Sequence, residues 1–348
     1  YEFVFGDWSS DVCSSDLWYL FPYLILNTNE RSWKKLSYGA GLAHQNLAGR
    51  NIFANAAFWF GYNPGFTLRY VDPWINRRHN LYFEGEIYSK KIKNKNSDWP
   101  EFDERHQGVT MTFGKRWGLH TYSAVRAGYR RVQLPAALVG RGGTDGMDHL
   151  PQAGVLFTYD RRDLREYARR GWYINLGVHE MYDGGRIHFQ KYGIDVRRYQ
   201  PLYRQVSLAG RLALDGSAGT IPLYERYFIG YQERVRGHFN EQAEGAQRLL
   251  SGLELRLPLL PIRYVDLGDD SSALGAYMNN LPFGVSWVLF ADAAAVSDTW
   301  SHLRRQRFMQ GFGGGLHIHL PYVELLRLEY AVDAHGHGQF ISDLYVWF

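Results

Sequence analysis

The chain has 348 residues, with 39 Lys and Arg against 35 Asp and Glu, a formal net charge of +4 that is too mild to argue for nucleic acid. Aromatics reach 16%, glycines number 37, and mean hydropathy is −0.36. The longest apolar run, "WYLFPYLIL", is far short of the ~20 residues a membrane-spanning helix needs, so a helical membrane protein is excluded.

At the N-terminus, "GDWSSDVCSSDLW" holds the only cysteine, Cys13, so no disulfide framework is possible. Asp7 to Leu17 back-translates, with permitted codons, to a stretch resembling a common short-read sequencing adapter. Residues 1–17 are therefore expected to be foreign to the fold, and Cys13 to carry no information on redox compartment.

From residue 18 onward the chain alternates. "LYFEGEI" sets Leu81, Phe83 and Ile87 opposite Glu84 and Glu86. "YGIDVRR" sets Tyr192, Ile194 and Val196 opposite Asp195 and Arg197. "QVSLAGRLALDGS" sets Val206, Leu208, Leu212 and Leu214 opposite Ser207, Ala209, Arg211, Ala213 and Asp215. "SGLELRLPLL" sets Leu253, Leu255 and Leu257 opposite Glu254 and Arg256. Period two means strand. Sixteen such segments follow one another: 18–28, 37–47, 51–61, 65–74, 79–91, 105–117, 120–133, 150–160, 171–182, 187–200, 205–216, 248–259, 283–296, 309–320, 323–333 and 338–348. They run to roughly 9–12 residues, the length that crosses a bilayer with tilt. Aromatics gather near their ends, as in "FWFGY", "RYVDPW" and "LYVWF", which suits interfacial girdles. Alternation alone also fits a soluble sheet with a Leu-rich core. Strand length, girdles and an even count favour an all-β, 16-stranded antiparallel transmembrane β-barrel over 18–348. With both ends in the periplasm, the longest outside connection is 217–247.

Other features read as bland. The basic run "KKIKNKNSD" (90–98) is a solvated tip, with contact to acidic lipopolysaccharide as the sharper option. "DRRDLREYARR" (160–170) reads as a turn without chemistry. "HIH" (His317, His319) and "HGHG" (His335, His337) share strand faces, but no third ligand is fixed by spacing, so no metal and no cofactor is expected. There is no G-x-S-x-G elbow, and Asp333 with His335 sits in a short hairpin, so no enzyme is expected.

Within the long connection stands "YFIGYQERVRGHFN". Val235-Arg236-Gly237 followed by His238 resembles the V-R-G-F/Y motif in the sixth outside loop of the BamA/TamA family of outer-membrane assembly factors and two-partner secretion transporters. "WVLFADAAAV" resembles the family's F-x-D-x-G motif at Phe290, Asp292 and Ala294. "NLAGRNI" with "RYVDPWI", "YDRRD…RRGWY" and "GFGGGLHIHLP…LLRLEYA" resemble further family segments in order, covering residues ~37–348. The chain departs from the pattern at His238, where the family has an aromatic, and at Ala294, where it has Gly.

The resemblance implies that loop six folds back inside and that Arg236 pairs with Asp292. Parity agrees, since Phe290 and Asp292 lie opposite Val285, Trp287, Leu289 and Ala291. It implies insertion or translocation of client proteins in the outer membrane, with lipids, unfolded client outer-membrane proteins and periplasmic accessory proteins as partners and no nucleic acid. A two-partner secretion or autotransporter-type barrel is the alternative within the family, and a passive porin the alternative outside it. It also implies a weak lateral seam between first and last strands. Pro22, with no N–H to donate, marks the first, and Phe348 closes the last. Family members carry POTRA domains before the barrel; none is present in this chain.

Overall fold

The computed structural model describes residues 20–28, 33–94, 101–140, 145–164, 167–230, 233–238, 241–268, 278–279, 281–321 and 323–343. The strands are β1 (Leu20–Thr28), β2 (Leu36–Leu47), β3 (Ile52–Gly61), β4 (Gly65–Asn76), β5 (Leu81–Asn94), β6 (Phe102–Arg116), β7 (Thr121–Gln133), β8 (Met147–Asp160), β9 (Gly171–Asp183), β10 (Ile187–Tyr203), β11 (Val206–Gly219), β12 (Tyr227–Ile229), β13 (Ala243–Gly245), β14 (Gln247–Val265), β15 (Leu281–Ser297), β16 (Met309–Leu320), β17 (Val323–Asp333) and β18 (Gly338–Asp343). Among the described residues, sixteen of them form one sheet in chain order, β11 being followed by β14, while β12 and β13 pair separately. Strand number and the antiparallel meander agree with the sequence expectation. Residues 7–17, Cys13 and the expectations attached to them lie outside the described residues, as do Phe348 and the rest of the chain after Asp343.

Contacts divide the chain into two units, Tyr1–Thr158, Leu176–Tyr192 and Ser217–Arg226 forming one, and Tyr159–Asn175, Gly193–Gly216 and Tyr227–Phe348 the other. In the first unit Phe58, Phe60, Ile87, Phe113 and Val125 stand exposed on one sheet face. The opposite face carries cross-strand polar pairs such as Arg69–Glu84 and Thr67–Glu86. Val132, Leu134, Leu138, Leu150, Met181, Ile187 and Phe189 form its apolar cluster, against which Tyr224 packs. Beside it Glu225 is buried between Arg130 and Lys191, the Lys191 Nζ donating to the carboxylate at 3.1 Å, while the Tyr224 hydroxyl donates to Asp148 at 2.6 Å.

In the second unit the same alternation places Leu253, Trp287, Leu289, Phe312, Tyr330 and Phe340 outward and exposed. A continuous exposed apolar face is costly in water and suits hydrocarbon. The opposite face is buried and polar, with Glu254, Arg256, Asp292, His317, Arg327 and Glu329 all 6% exposed or less.

Four expectations change. Strands β10, β14 and β15 reach 17–19 residues rather than 9–12. In β14 the register shifts between Pro258 and Leu260 and again before Arg263, because a proline offers no ladder donor and the strand bulges around it. The 217–247 connection holds the small β12–β13 ladder, which sequence alternation over three residues could not reveal. The described part of the basic run is charge-paired: Lys91 meets Asp103 at 2.6 Å and Lys93 lies near Glu101 and Asp103, which leaves less free charge for an acidic lipid; residues 95–98 lie outside the described set. Finally, the 160–170 turn does more than reverse the chain, as its Tyr167 and Ala168 are buried.

Candidate functional site

The segment 233–238 lies on the buried face of the second unit, and local chemistry explains how. Glu233 accepts two hydrogen bonds from Arg211, at 2.8 and 2.9 Å, which ties the incoming backbone to β11. Burial pushes the Glu233 carboxyl up, but the Arg211 guanidinium outweighs it and holds it below its ordinary range. Val235 is buried with Ile229, Ala213, Leu250, Ala294 and Val296. Gly237 takes φ +98°, a left-handed conformation that favours glycine, and the His238 amide donates to the Val235 carbonyl at 3.0 Å to close the turn. The turn rests on Gly311, where a Cβ would overlap the Arg236 carbonyl oxygen. Ala294 does not keep the loop away: its methyl packs beside Val235, and the close backbone approach is made at Gly311 instead.

Arg236, 1% exposed, is thereby aimed into a set of carboxylates. Its Nε donates to Asp292 Oδ2 at 2.5 Å and its Nη2 to Asp292 Oδ1 at 2.7 Å. Its Nη1 donates to Glu254 Oε1 at 2.8 Å and to Glu329 Oε1 at 3.1 Å. The Phe290 ring lies under the guanidinium, 3.7 Å from its centre. Burial alone would lower the Arg236 pKa, but Asp292, Glu254 and Glu329 more than reverse this and raise it, so the group stays charged.

The network extends outward. Arg256 grips Glu254 Oε2 with two donors at 2.7 and 2.9 Å and donates to the Ala168 carbonyl at 2.9 Å, drawing in the 160–170 turn. Its guanidinium also lies 4.3 Å from the Tyr167 ring centre. His317 Nε2 donates to Glu329 Oε1 at 2.9 Å, which leaves Nδ1 free to accept from the Tyr167 hydroxyl at 3.3 Å. That pattern is satisfied by a neutral ring. Arg327 Nη1 stands 3.7 Å from Glu329 Oε2. Three guanidinium groups, those of Arg236, Arg256 and Arg327, thus face three carboxylates in a desolvated site.

Of the residues singled out from sequence, the structure brings together Val235, Arg236, Gly237, Phe290 and Asp292. His238 is buried beside them and donates from Nε2 to the Gln310 carbonyl at 2.9 Å, so polar contact replaces aromatic packing at that position. Pro22 belongs to the first unit, exposed in β1 and opposite Leu42 of β2. The sequence does not disclose Glu254 and Glu329 as partners of Arg236, Gly311 as the seat of its turn, or His317, Arg256 and Tyr167 as the groups around those glutamates. Parity assigned Glu254 and Arg256 to the polar face but could not say which inward charges meet. A ligating atom of each of Glu254, His317 and Glu329 lies within 4.8 Å of the others. An ion there would have to displace Arg236 from both glutamates.

The Omp85 superfamily domain matches residues 46–340. The chain is 26% identical over 213 residues to the outer membrane protein assembly factor BamA of Nitratidesulfovibrio vulgaris, covering 57% of this chain and 26% of that protein. It therefore spans about a quarter of the length of that relative. Among solved structures it is similar to BamA from Haemophilus ducreyi lacking POTRA domains 1–3, with TM-score 0.68, 16% identity, and coverage of 93% of this chain and 68% of that one. It is also similar to CdiB from Escherichia coli, with TM-score 0.60, 13% identity, and coverage of 93% and 60%. These likenesses show the fold, an outer-membrane type β-barrel.

Proposed function

The chain belongs to the Omp85 superfamily, and from that premise we propose that it works in the outer membrane as a non-enzymatic barrel that inserts client proteins into the membrane or moves them across it. The observation that carries this reading is Arg236, delivered from an outside connection into three buried carboxylates. A passive porin needs an open polar interior, which a connection pinned there narrows. A buried ion network is poor evidence for stability and better evidence for register. Here it fixes loop six against β14, β15 and β17, and through Arg327, whose Nη2 lies 3.4 Å from Asp343 Oδ2, it reaches β18 at one end of the sheet order.

Client entry then falls to the seam between first and last strands. An unpaired strand edge is costly in hydrocarbon, so a client strand pairing there by augmentation is favoured. Pro22 offers no donor at that edge. Phe348 at the opposite end is the seam's other marker. Lipid faces the exposed apolar side chains, and unfolded client outer-membrane proteins, with periplasmic accessory proteins to deliver them, are the partners. The likeness to CdiB keeps two-partner secretion as the second reading.

Liposomes carrying the folded chain, given an unfolded barrel client, provide the test. Client should become heat-modifiable and protease-resistant faster than with empty liposomes, and Arg236→Ala should slow this at least tenfold. Client released into the liposome interior rather than held in the bilayer would favour secretion. Free solute leakage with no effect on client would overturn the reading in favour of a porin.

A further inference from the structure

We propose that His238, Glu241 and Asp333 form a binding site for a divalent transition-metal ion of zinc type, which staples loop six to the end of β17. The site is separate from the Arg236 network, and its existence does not depend on which client the chain handles.

The ring of His238 carries the first argument. Its Nε2 lies 2.9 Å from the Gln310 carbonyl oxygen. A carbonyl only accepts, so Nε2 bears the proton and Nδ1 of a neutral ring presents a lone pair. Nδ1 is buried and has no aligned hydrogen-bond partner. Yet it stands 2.9 Å from Glu241 Oε1, itself an acceptor. Two acceptors pointed at one another need a cation between them, either a second ring proton or a metal ion. The residue is 7% exposed, so the nitrogen is aimed into the cluster rather than at solvent.

A third ligand favours the metal. A ring nitrogen of His238 and carboxylate oxygens of Glu241 and Asp333 lie within 4.8 Å of one another. Two ligands on a tetrahedral zinc ion, with bonds near 2.1 Å, stand about 3.4 Å apart. The His238–Glu241 spacing of 2.9 Å is somewhat shorter than that value, and Glu241 is exposed enough to adjust. Asp333 is already oriented: Oδ1 accepts from the His335 and His337 amides at 2.8 Å each, and Oδ2 lies 2.9 Å from His337 Nδ1. A histidine whose other nitrogen donates to a backbone carbonyl, beside a hydrogen-bonded carboxylate, is how metal ligands are held in place. One neutral imidazole and two carboxylates also balance a dication. Nitrogen with carboxylate oxygen suits zinc better than calcium or magnesium.

The fold explains the meeting. Asp333 pairs with Gly311 across β16–β17, one residue from Gln310. A Cβ on Gly237 would touch the Val332 carbonyl and the Asp333 amide, so the turn lies directly on that strand end. Spacing within "HGHG" could not disclose this site, since its imidazole comes from another element, at the position where the family pattern has an aromatic.

The experiment uses the full chain, folded in detergent, stripped with chelator and dialysed against zinc chloride, with metal content by mass spectrometry and cobalt absorption as a second readout. One zinc per chain is expected. His238→Phe and Glu241→Gln should each weaken binding at least tenfold while keeping the heat-modifiable folded form. His79→Gln, an exposed histidine between β4 and β5, should leave zinc binding unchanged. Zinc retained by His238→Phe would overturn the proposal. So would zinc lost from His317→Gln with His238 intact, which would put the ion in the Glu254 cluster. A wild-type chain that takes up no zinc would leave a protonated His238 paired with Glu241 and no metal site.

Discussion

At the scale of single residues, Arg236 is the side chain whose removal should be felt most. Arginine is always charged and presents five donors in a fixed fork. Here the fork gives two contacts to Asp292 and one each to Glu254 and Glu329. Arg236→Ala leaves Asp292, Glu254 and Glu329 with only Arg256 and Arg327 to balance them, and stranding a buried charge costs about 3–5 kcal/mol. Arg236→Lys keeps the charge but loses the bidentate grip, so an intermediate loss of about 1–3 kcal/mol is expected. Because the penalty lies mainly in the stranded carboxylate, Arg236→Ala with Asp292→Ala should be less harmful than the two single losses added. Urea unfolding in detergent, followed by tryptophan fluorescence, measures all four variants against the wild type. An alanine variant with the wild-type midpoint would show that the network contributes nothing to the folded state.

At the scale of elements, β16 must pass under the loop-six turn with no side chain at Gly311. Gly311→Ala would push a methyl into the Arg236 carbonyl oxygen, a backbone atom that cannot rotate away. A loss of about 1–3 kcal/mol is expected. Gly85→Ala in β5 is the control: its Cβ would meet only the Phe83 ring at 3.4 Å, so a change within about 0.5 kcal/mol is expected from the same unfolding curves. Equal effects at both sites would mean that the close approach is not what makes Gly311 matter. The contrast also marks what a sequence can disclose. Strand positions were legible because alternation is a property of the backbone, and one register decides each strand's faces. The inward side of Asp292 followed from that parity. Its pairing with Arg236 came from the family resemblance. Glu254 and Glu329 were recognisably inward or strand-borne, but their convergence on one guanidinium depends on cross-strand register, such as Gly252 opposite Asp292 in β14–β15. The 160–170 turn reads as a solvated reversal because eight of its eleven residues are charged. Its signal was the lone Tyr167-Ala168 pair in a charge run, the two residues that the structure buries.

At the scale of the whole molecule, the charged interior makes stability depend on acid, and Glu225 in the first unit allows one contribution to be isolated. It sits outside the strands, in a short 3-10 turn after β11, and is 5% exposed. Burial pushes its carboxyl up, but Arg130 and Lys191 more than compensate and hold it down to about 2. An unfolded glutamate titrates near 4.3. The folded value is the lower one, so the unfolded chain takes up the proton first as acid is added. The stabilisation is therefore fully present above about pH 4.3, falls progressively below it, and is gone once pH drops through about 2. It is worth a few kcal/mol at neutral pH, by roughly 1.4 kcal/mol for each unit of displacement. Glu225→Gln removes the titration but leaves Arg130 and Lys191 facing a neutral amide. The variant should thus be less stable than wild type at pH 7, and the gap should close as pH falls towards 2. Other buried carboxylates titrate in both chains, so the readout is the difference between their urea midpoints across pH 2–7 rather than either curve alone. A gap that stays constant across that range would mean that Glu225 contributes packing and hydrogen bonds but not charge.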